Sequence, residues 1–352
     1  MRRTLALLVA LAGCRPEPVP IEAPPTPLRR DLELTAAQAE SLASLARLAD
    51  DDPTDARALK RSGLAHMQFT LSGVLSLRDR AEADLEAAFA LTPNDKQLTR
   101  SLGRFYNLRA VGGDDSKADM QVKVYAAHLG DVAVDEMRTD QFVAYSFAQL
   151  GAILSARNRG QLLGALSTIR DLEDTLATRV QRHPNDVELA ALAGNFAFFF
   201  AGNIPFGKRD RVEAAVAYFA RVRTEWDAMR RGAKDPEECP NTYENFMFEL
   251  AEGYTVLEQL DQARSIYEEL QTIRPPRTRA KEQVAYVAAE RLRNLEDYVG
   301  QMKLMPPWPS DIGNCVVCHA YTSDVPLTSL YAVEPVVLDE IPRGALIDKD
   351  AP

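Results

Sequence analysis

The chain has 352 residues, 46% hydrophobic and 26% charged, with a formal net charge of −10 at pH 7. That length and balance suit one or two globular domains, and the acidic excess argues against long-range attraction to nucleic acid or to an anionic membrane surface. The sequence has no basic stripe with interleaved aromatics, so nucleic-acid binding is set aside.

The first residues, MRRTLALLVALAGC, place Arg2 and Arg3 ahead of an apolar run from Leu5 to Ala12. Charge followed by a short apolar stretch is the form of an export signal. The run is far shorter than the roughly 20 residues a spanning helix needs. Leu11-Ala12-Gly13-Cys14 resembles the bacterial lipobox. The resemblance implies cleavage before Cys14, a diacylglyceryl group on its sulfur, and a mature protein anchored to a membrane of the bacterial cell envelope, facing the periplasm. More than one acyl chain would make that attachment stable. The other reading is an ordinary signal peptide that happens to contain Cys14. Arg15 comes next, not the Asp of the usual inner-membrane retention signal. Residues 15–29, RPEPVPIEAPPTPLR, are Pro-rich and aperiodic, which predicts an extended, semi-rigid tether. The chain thus divides into a signal (1–13), a lipidated cysteine with its tether (14–34), a helical region (35–300) and a C-terminal segment (301–352).

From Thr35 the pattern turns helical. Thr35 with Gln38 predicts a capping box, and Leu42, Leu45, Ala46 and Ala49 then share one helical face. TPND (92–95) and HPND (183–186) predict turns in which Pro follows one helix and Asp opens the next. From Met247 to Pro275, Leu250-Ala251, Tyr254, Ala263, Tyr267, Leu270 and Pro275 stand at the spacing of a tetratricopeptide repeat. The segment resembles that family, which implies helical hairpins crossing at small residues, with large ones filling the gaps beside them. Ala81, Leu85, Ala88 and Pro93 keep the second-helix spacing, with Gly63 marking the first helix. Gly194 with Ala215, Phe219 and Val222 gives a third unit, its second helix capped by Asp210 and Glu213. The separations from Gly63 to Ala81 and from Gly194 to Ala215 exceed the family's, which predicts inter-helix loops longer by about six and nine residues. The fold expected over 35–300 is therefore all-α, a divergent tetratricopeptide-like array with enlarged loops. A non-repeat helical bundle is the alternative.

Such an array performs no chemistry alone and offers a groove to a protein partner or ligand. ALAGNFAFFFAGNIPF carries Phe196, Phe198, Phe199 and Phe200, which cannot share one helix face. A helix apolar all round predicts a central, buried position, with an exposed partner groove as the alternative. NIPFGKRDRVEAAVAYFARV is similar to repeats of the lipidated ligand-binding component of some tripartite periplasmic transporters. Gly202 to Lys208, GNIPFGK, satisfies G-x-x-x-x-G-K, but Arg209 stands where a phosphate loop needs Ser or Thr, and a helical pattern precedes it. Nucleotide binding is set aside. H-E-x-x-H and G-x-S-x-G are absent, so the chain is read as non-enzymatic.

After about residue 300 the helical pattern stops. The segment 301–352 is broken by prolines and contains GNCVVCHAY (313–321). Cys315, Cys318 and His319 form C-x-x-C-H, which resembles the attachment site of c-type cytochromes. The resemblance implies one covalent haem c: two thioethers from Cys315 and Cys318, and the His319 imidazole as proximal iron ligand. Attachment occurs outside the cytoplasm, in keeping with an export signal, and implies electron transfer or another haem-based redox role with a docked partner. Nothing after His319 is Met or His. A distal ligand must then come from Met302 or Met305, from His66, His128 or His183, or from a partner. Met305 is preferred because Pro306 and Pro307 could fold it back. Three other readings of the tail stand: a Cys315–Cys318 disulfide, a zinc site sharing Cys239, or idle thiols.

Overall fold

The computed structural model describes residues 32–71, 74–111, 114–204, 206–232, 242–272, 279–301 and 347–348. Proline–aspartate turns set the rhythm of the chain. In Asp52-Pro53-Thr54-Asp55, the Asp55 carboxylate accepts from the backbone N–H groups of Arg57 and Ala58 at 2.9 and 3.1 Å. Asp95 does the same for Gln97 and Leu98, both at 3.0 Å, and Asp186 for Leu189 at 3.0 Å. Each aspartate satisfies donors that a helix start leaves open. The Thr35–Gln38 capping box forms as the sequence predicts, with reciprocal bonds of 2.9 and 3.3 Å.

Twelve α-helices result among the described residues. They are α1 (Ala36–Asp51), α2 (Ala56–Leu71), α3 (Arg78–Leu91), α4 (Lys96–Val111), α5 (Ala118–Leu129) and α6 (Thr139–Asn158). They continue as α7 (Leu162–Arg182), α8 (Val187–Asn203), α9 (Lys208–Gly232), α10 (Thr242–Val256), α11 (Leu260–Leu270) and α12 (Arg279–Arg293). One two-residue ladder completes the secondary structure: β1 (Leu32–Glu33) pairs antiparallel with β2 (Ile347–Asp348), Leu32 opposite Asp348.

Each helix packs on its neighbours in sequence, and α2, α4 and α6 each also touch the next even-numbered helix, as α10 touches α12. Gly253 of α10 reaches Phe198 of α8 as well. Even-numbered helices therefore lie side by side in one layer, and the odd-numbered ones return over them. The core follows the array as successive apolar clusters: one runs from Leu42 to Val124, another from Ala118 to Ile204, a third from Ala197 to Leu295, and Val187, Ala190, Ala191 and Val222 form a small fourth.

Glycines fix where the hairpins cross. A β-carbon on Gly63 would stand 2.7 Å from Leu85 Cγ, one on Gly103 2.8 Å from the Tyr125 ring, and one on Gly194 2.7 Å from the Phe219 ring. Those are distances no real β-carbon tolerates, so the absent side chain is what lets α2 meet α3, α4 meet α5 and α8 meet α9. The spacing sets Gly63 against Ala81 and Gly194 against Ala215; the atoms that come nearest to these glycines belong to Leu85 and Phe219, one turn further along the second helices.

Two expectations need correction. The connection between α8 and α9 spans only 204–207, hardly longer than the 257–259 link between α10 and α11. The nine extra residues lie almost wholly in the helices, a turn more at the end of α8 and a turn more at the start of α9. Phe200 and Ala201 carry the added turn of α8 into the core, where helix satisfies the backbone better than a loop would, whereas the added turn of α9, residues 208–211, lies at the surface. In the first hairpin the six extra residues divide between a longer α2 and a longer 72–77 connection. The Asp210–Glu213 cap is also displaced. Asp210 sits inside α9, which starts at Lys208, and Glu213 pairs with Arg209 at 2.9 Å.

Candidate functional site

Cys14, Met302, Met305, Cys239, Cys315, Cys318 and His319 lie outside the described residues. Three histidines of the array are described. His66, on α2, is buried, with Nδ1 2.8 Å from the Ser62 carbonyl. Its pKa is held below the usual imidazole value, chiefly by burial. A ring so enclosed cannot reach an iron without opening the α2–α3 hairpin, which removes His66 from the candidate distal ligands. His128 is half-buried at the end of α5, with Nδ1 3.1 Å from Thr99 Oγ1. Burial, with Arg100 and Lys96 nearby, lowers its pKa too. His183, just past the end of α7, is exposed and is the array histidine most open to a ligand.

Ser62, His66 and Asp84 meet in the core, yet they do not form a nucleophile relay. Ser62 Oγ donates directly to Asp84 Oδ2 at 2.5 Å, and Arg80 Nε donates to the same oxygen at 2.7 Å. The carbonyl of Ser62 can only accept, so His66 Nδ1 carries a proton there. The imidazole nitrogen nearest the serine is thus a donor and takes no proton from it, whereas a triad needs the histidine between serine and acid. The cluster joins α2 to α3, and Ser62, His66 and Asp84 are all buried.

A surface cleft of about 350 Å³ lies between α7, α8 and α9. Its floor is Leu176, Ala193, Phe196, Ala197 and Ala214, with Tyr218 beside them. Phe196, Phe198 and Phe200 are buried and Phe199 is half-buried, so α8 occupies the central position its composition predicts, and Phe196 alone of the four also lines this cleft. The rim carries Glu173, Asp174, Asp210 and Arg211, and Phe206 projects beside it, 57% exposed. Arg211 uses three of its five N–H groups here. It donates through Nε and Nη2 to the two oxygens of Glu173 and through Nη1 to the Phe206 carbonyl at 2.8 Å. Gly207 permits this. Its φ is +65°, and a β-carbon there would stand 3.2 Å from Arg211 Nη1. The sequence pattern does not announce the cleft, since its walls come from positions 173 to 218. The one local sign is IPFG, an exposed aromatic before a glycine.

Among the described residues no three His, Cys, Asp or Glu side chains are grouped to hold a metal ion. No described helix is long and apolar enough to cross a membrane. GNIPFGK is entered from helix α8 and continues into α9, so the strand that a phosphate loop requires is not what precedes it. The fold thus defines an all-α array of antiparallel helical hairpins. Compared with family models, curated proteins and solved structures, the chain finds no match.

Proposed function

We propose that the chain is a tetratricopeptide-like binding protein, tethered by lipid on Cys14 to the periplasmic side of a bacterial membrane, that carries one covalent c-type haem. In this reading Cys315 and Cys318 hold the porphyrin and His319 is the proximal ligand, with Met305 the preferred distal one. The bound haem supplies one-electron redox chemistry. The array docks the protein that gives or takes the electron, and the chain itself is no enzyme. The observation that carries the reading is C-x-x-C-H in a chain that opens with an export signal and a lipobox. The all-helical hairpin array supports the docking role, since stacked hairpins present extended surfaces to partners.

The test is direct. Full-length protein made alongside a haem-attachment machinery should show a Soret band and keep its haem through denaturing electrophoresis. Cys315→Ala/Cys318→Ala should lose both. Tail peptides of matured protein that never carry the porphyrin mass would remove the haem. Cys14→Ser should release the protein from membranes, and unchanged fractionation would remove the anchor.

A second reading is a haem-free repeat lipoprotein that scaffolds an envelope complex or binds a ligand, with Cys315 and Cys318 structural. The preformed cleft beside Phe206 favours it.

A further inference from the structure

We infer that the cleft between α7, α8 and α9 is a binding site for a small apolar organic cation: an ammonium or guanidinium group on a short aliphatic or aromatic body. Shape comes first. The cleft of about 350 Å³ lies at the small end of the range for ligand pockets, which begins near 300 Å³. That admits one ring with a short chain. Its floor of leucine, alanine and phenylalanine side chains offers the body no hydrogen-bonding partner, so an apolar body gains most by entering.

Charge decides the head group. Three carboxylates, Glu173, Asp174 and Asp210, face one guanidinium, Arg211. Arg211 gives three of its five N–H groups to the two oxygens of Glu173 and to the Phe206 carbonyl, so its charge is already matched by the Glu173 carboxylate. Asp174 and Asp210 are exposed at the rim and have no basic partner there. A ligand whose body lies on Phe196 and Ala197 would bring its head to these two carboxylates. The exposed Phe206 ring beside the mouth adds a face that also favours a cation over an anion.

The wall is set before any ligand arrives. Gly207, at φ +65°, leaves room for Arg211, and Arg211 in turn ties the 204–207 connection to α7 through Glu173. A site held this way loses little freedom on binding. The inference goes beyond the haem reading and stands without it, because none of its residues lies in the C-terminal segment.

The experiment uses full-length protein and 2-phenylethylammonium as the probe, with 2-phenylethanol and phenylacetate as neutral and anionic counterparts of similar size. Binding is followed by calorimetry and by shifts of methyl resonances from Leu176 and Ala214. Saturable binding is expected, with the ammonium preferred over the alcohol by about fivefold, the scale of two exposed ion pairs, and phenylacetate weakest. Asp174→Asn/Asp210→Asn changes exposed residues and should lower the ammonium's affinity until its preference over the alcohol is lost. Gly207→Ala should weaken all three probes together. Absence of saturable binding, equal affinity for ammonium and alcohol, or an unchanged preference in the double variant would overturn the assignment. The same series on Cys315→Ala/Cys318→Ala protein should match, which separates failure of this site from failure of the haem reading.

Discussion

Gly194 of α8 lies so close to Phe219 of α9 that a β-carbon at 194 would stand 2.7 Å from the aromatic ring. The contact joins the most apolar helix of the array to the longest one, and Phe219 is itself wholly buried. Gly194→Leu must drive a side chain into that ring. It should destabilise the protein by about 1–3 kcal/mol, read as a lower urea midpoint. Gly164, near the start of α7, has nothing within 4 Å of its β-carbon position. Gly164→Ala should therefore stabilise by about 0.5–1 kcal/mol through helix propensity alone. Equal effects at the two sites would show that the close approach is not what selects glycine at 194.

Glu252 and Arg291 form a buried ion pair between α10 and α12, with Arg291 Nε donating to Glu252 Oε1 at 2.6 Å. Tyr267 of α11 donates to the same oxygen at 2.9 Å. Arg291→Met alone strands a carboxylate in the core and should cost about 3–5 kcal/mol. Adding Glu252→Gln should recover much of the loss. A double variant no better than the single one would mean that Arg291 acts through packing on the Tyr298 ring, 3.9 Å away, and not through its charge.

Glu249 of α10 is buried, and one of its carboxyl oxygens finds no hydrogen-bond partner. Burial pushes its pKa up to about 8, from the ordinary 4.5. In the window between those values the unfolded chain releases this proton and the folded one keeps it. Stability therefore falls as pH rises from about 4.5 to about 8, then levels off. Glu249→Gln removes the ionisation, so it should gain on the parent as pH rises through that window. Urea midpoints at about pH 5 and about pH 9 measure it, and parallel pH profiles for parent and variant would contradict it.

Glu258 turns the chain between α10 and α11 with φ at +63°, the one non-glycine residue with positive φ among those described. A left-handed residue with a β-carbon carries a steric cost of about 1–2 kcal/mol. Glycine removes that cost but adds freedom to the unfolded chain. Glu258→Gly should thus raise stability modestly, by less than about 1 kcal/mol, measured as a higher melting temperature. A clear loss would show that the glutamate side chain itself holds the turn.

Much of the array can be read from local rules. A cap needs only its own few residues, so Thr35, Asp95 and Asp186 announce their helices. Spacing picks out Gly63 and Gly194, and Leu85 and Phe219 among the second-helix residues, but not which of those residues each glycine meets. The α4–α5 hairpin is harder to see. Its crossing pairs Gly103 with Tyr125, and Gln121, one turn before, stands where the pattern expects a small residue. That glutamine is buried and bonds to Asn107 and to the Phe147 carbonyl, so polar contacts replace apolar filling and the repeat signal fades. The cleft is not legible, since its rim and floor are drawn from three helices whose spacing along the chain carries no period. Loop length misleads for a related reason. Counting residues between two landmarks does not say whether the surplus is loop or helix.

The pairing of Leu32 with Asp348 makes the described chain a near-closed circuit whose clasp is only two residues long on each side. Its opening and closing points are therefore interchangeable with any exposed turn that a helix does not cross. Joining 32 to 348 with a short glycine linker and cutting at Gly160, which is exposed at φ +72°, would yield a circular permutant with every helix intact. The order of synthesis would change, and the order in which neighbouring hairpins rest on one another would not.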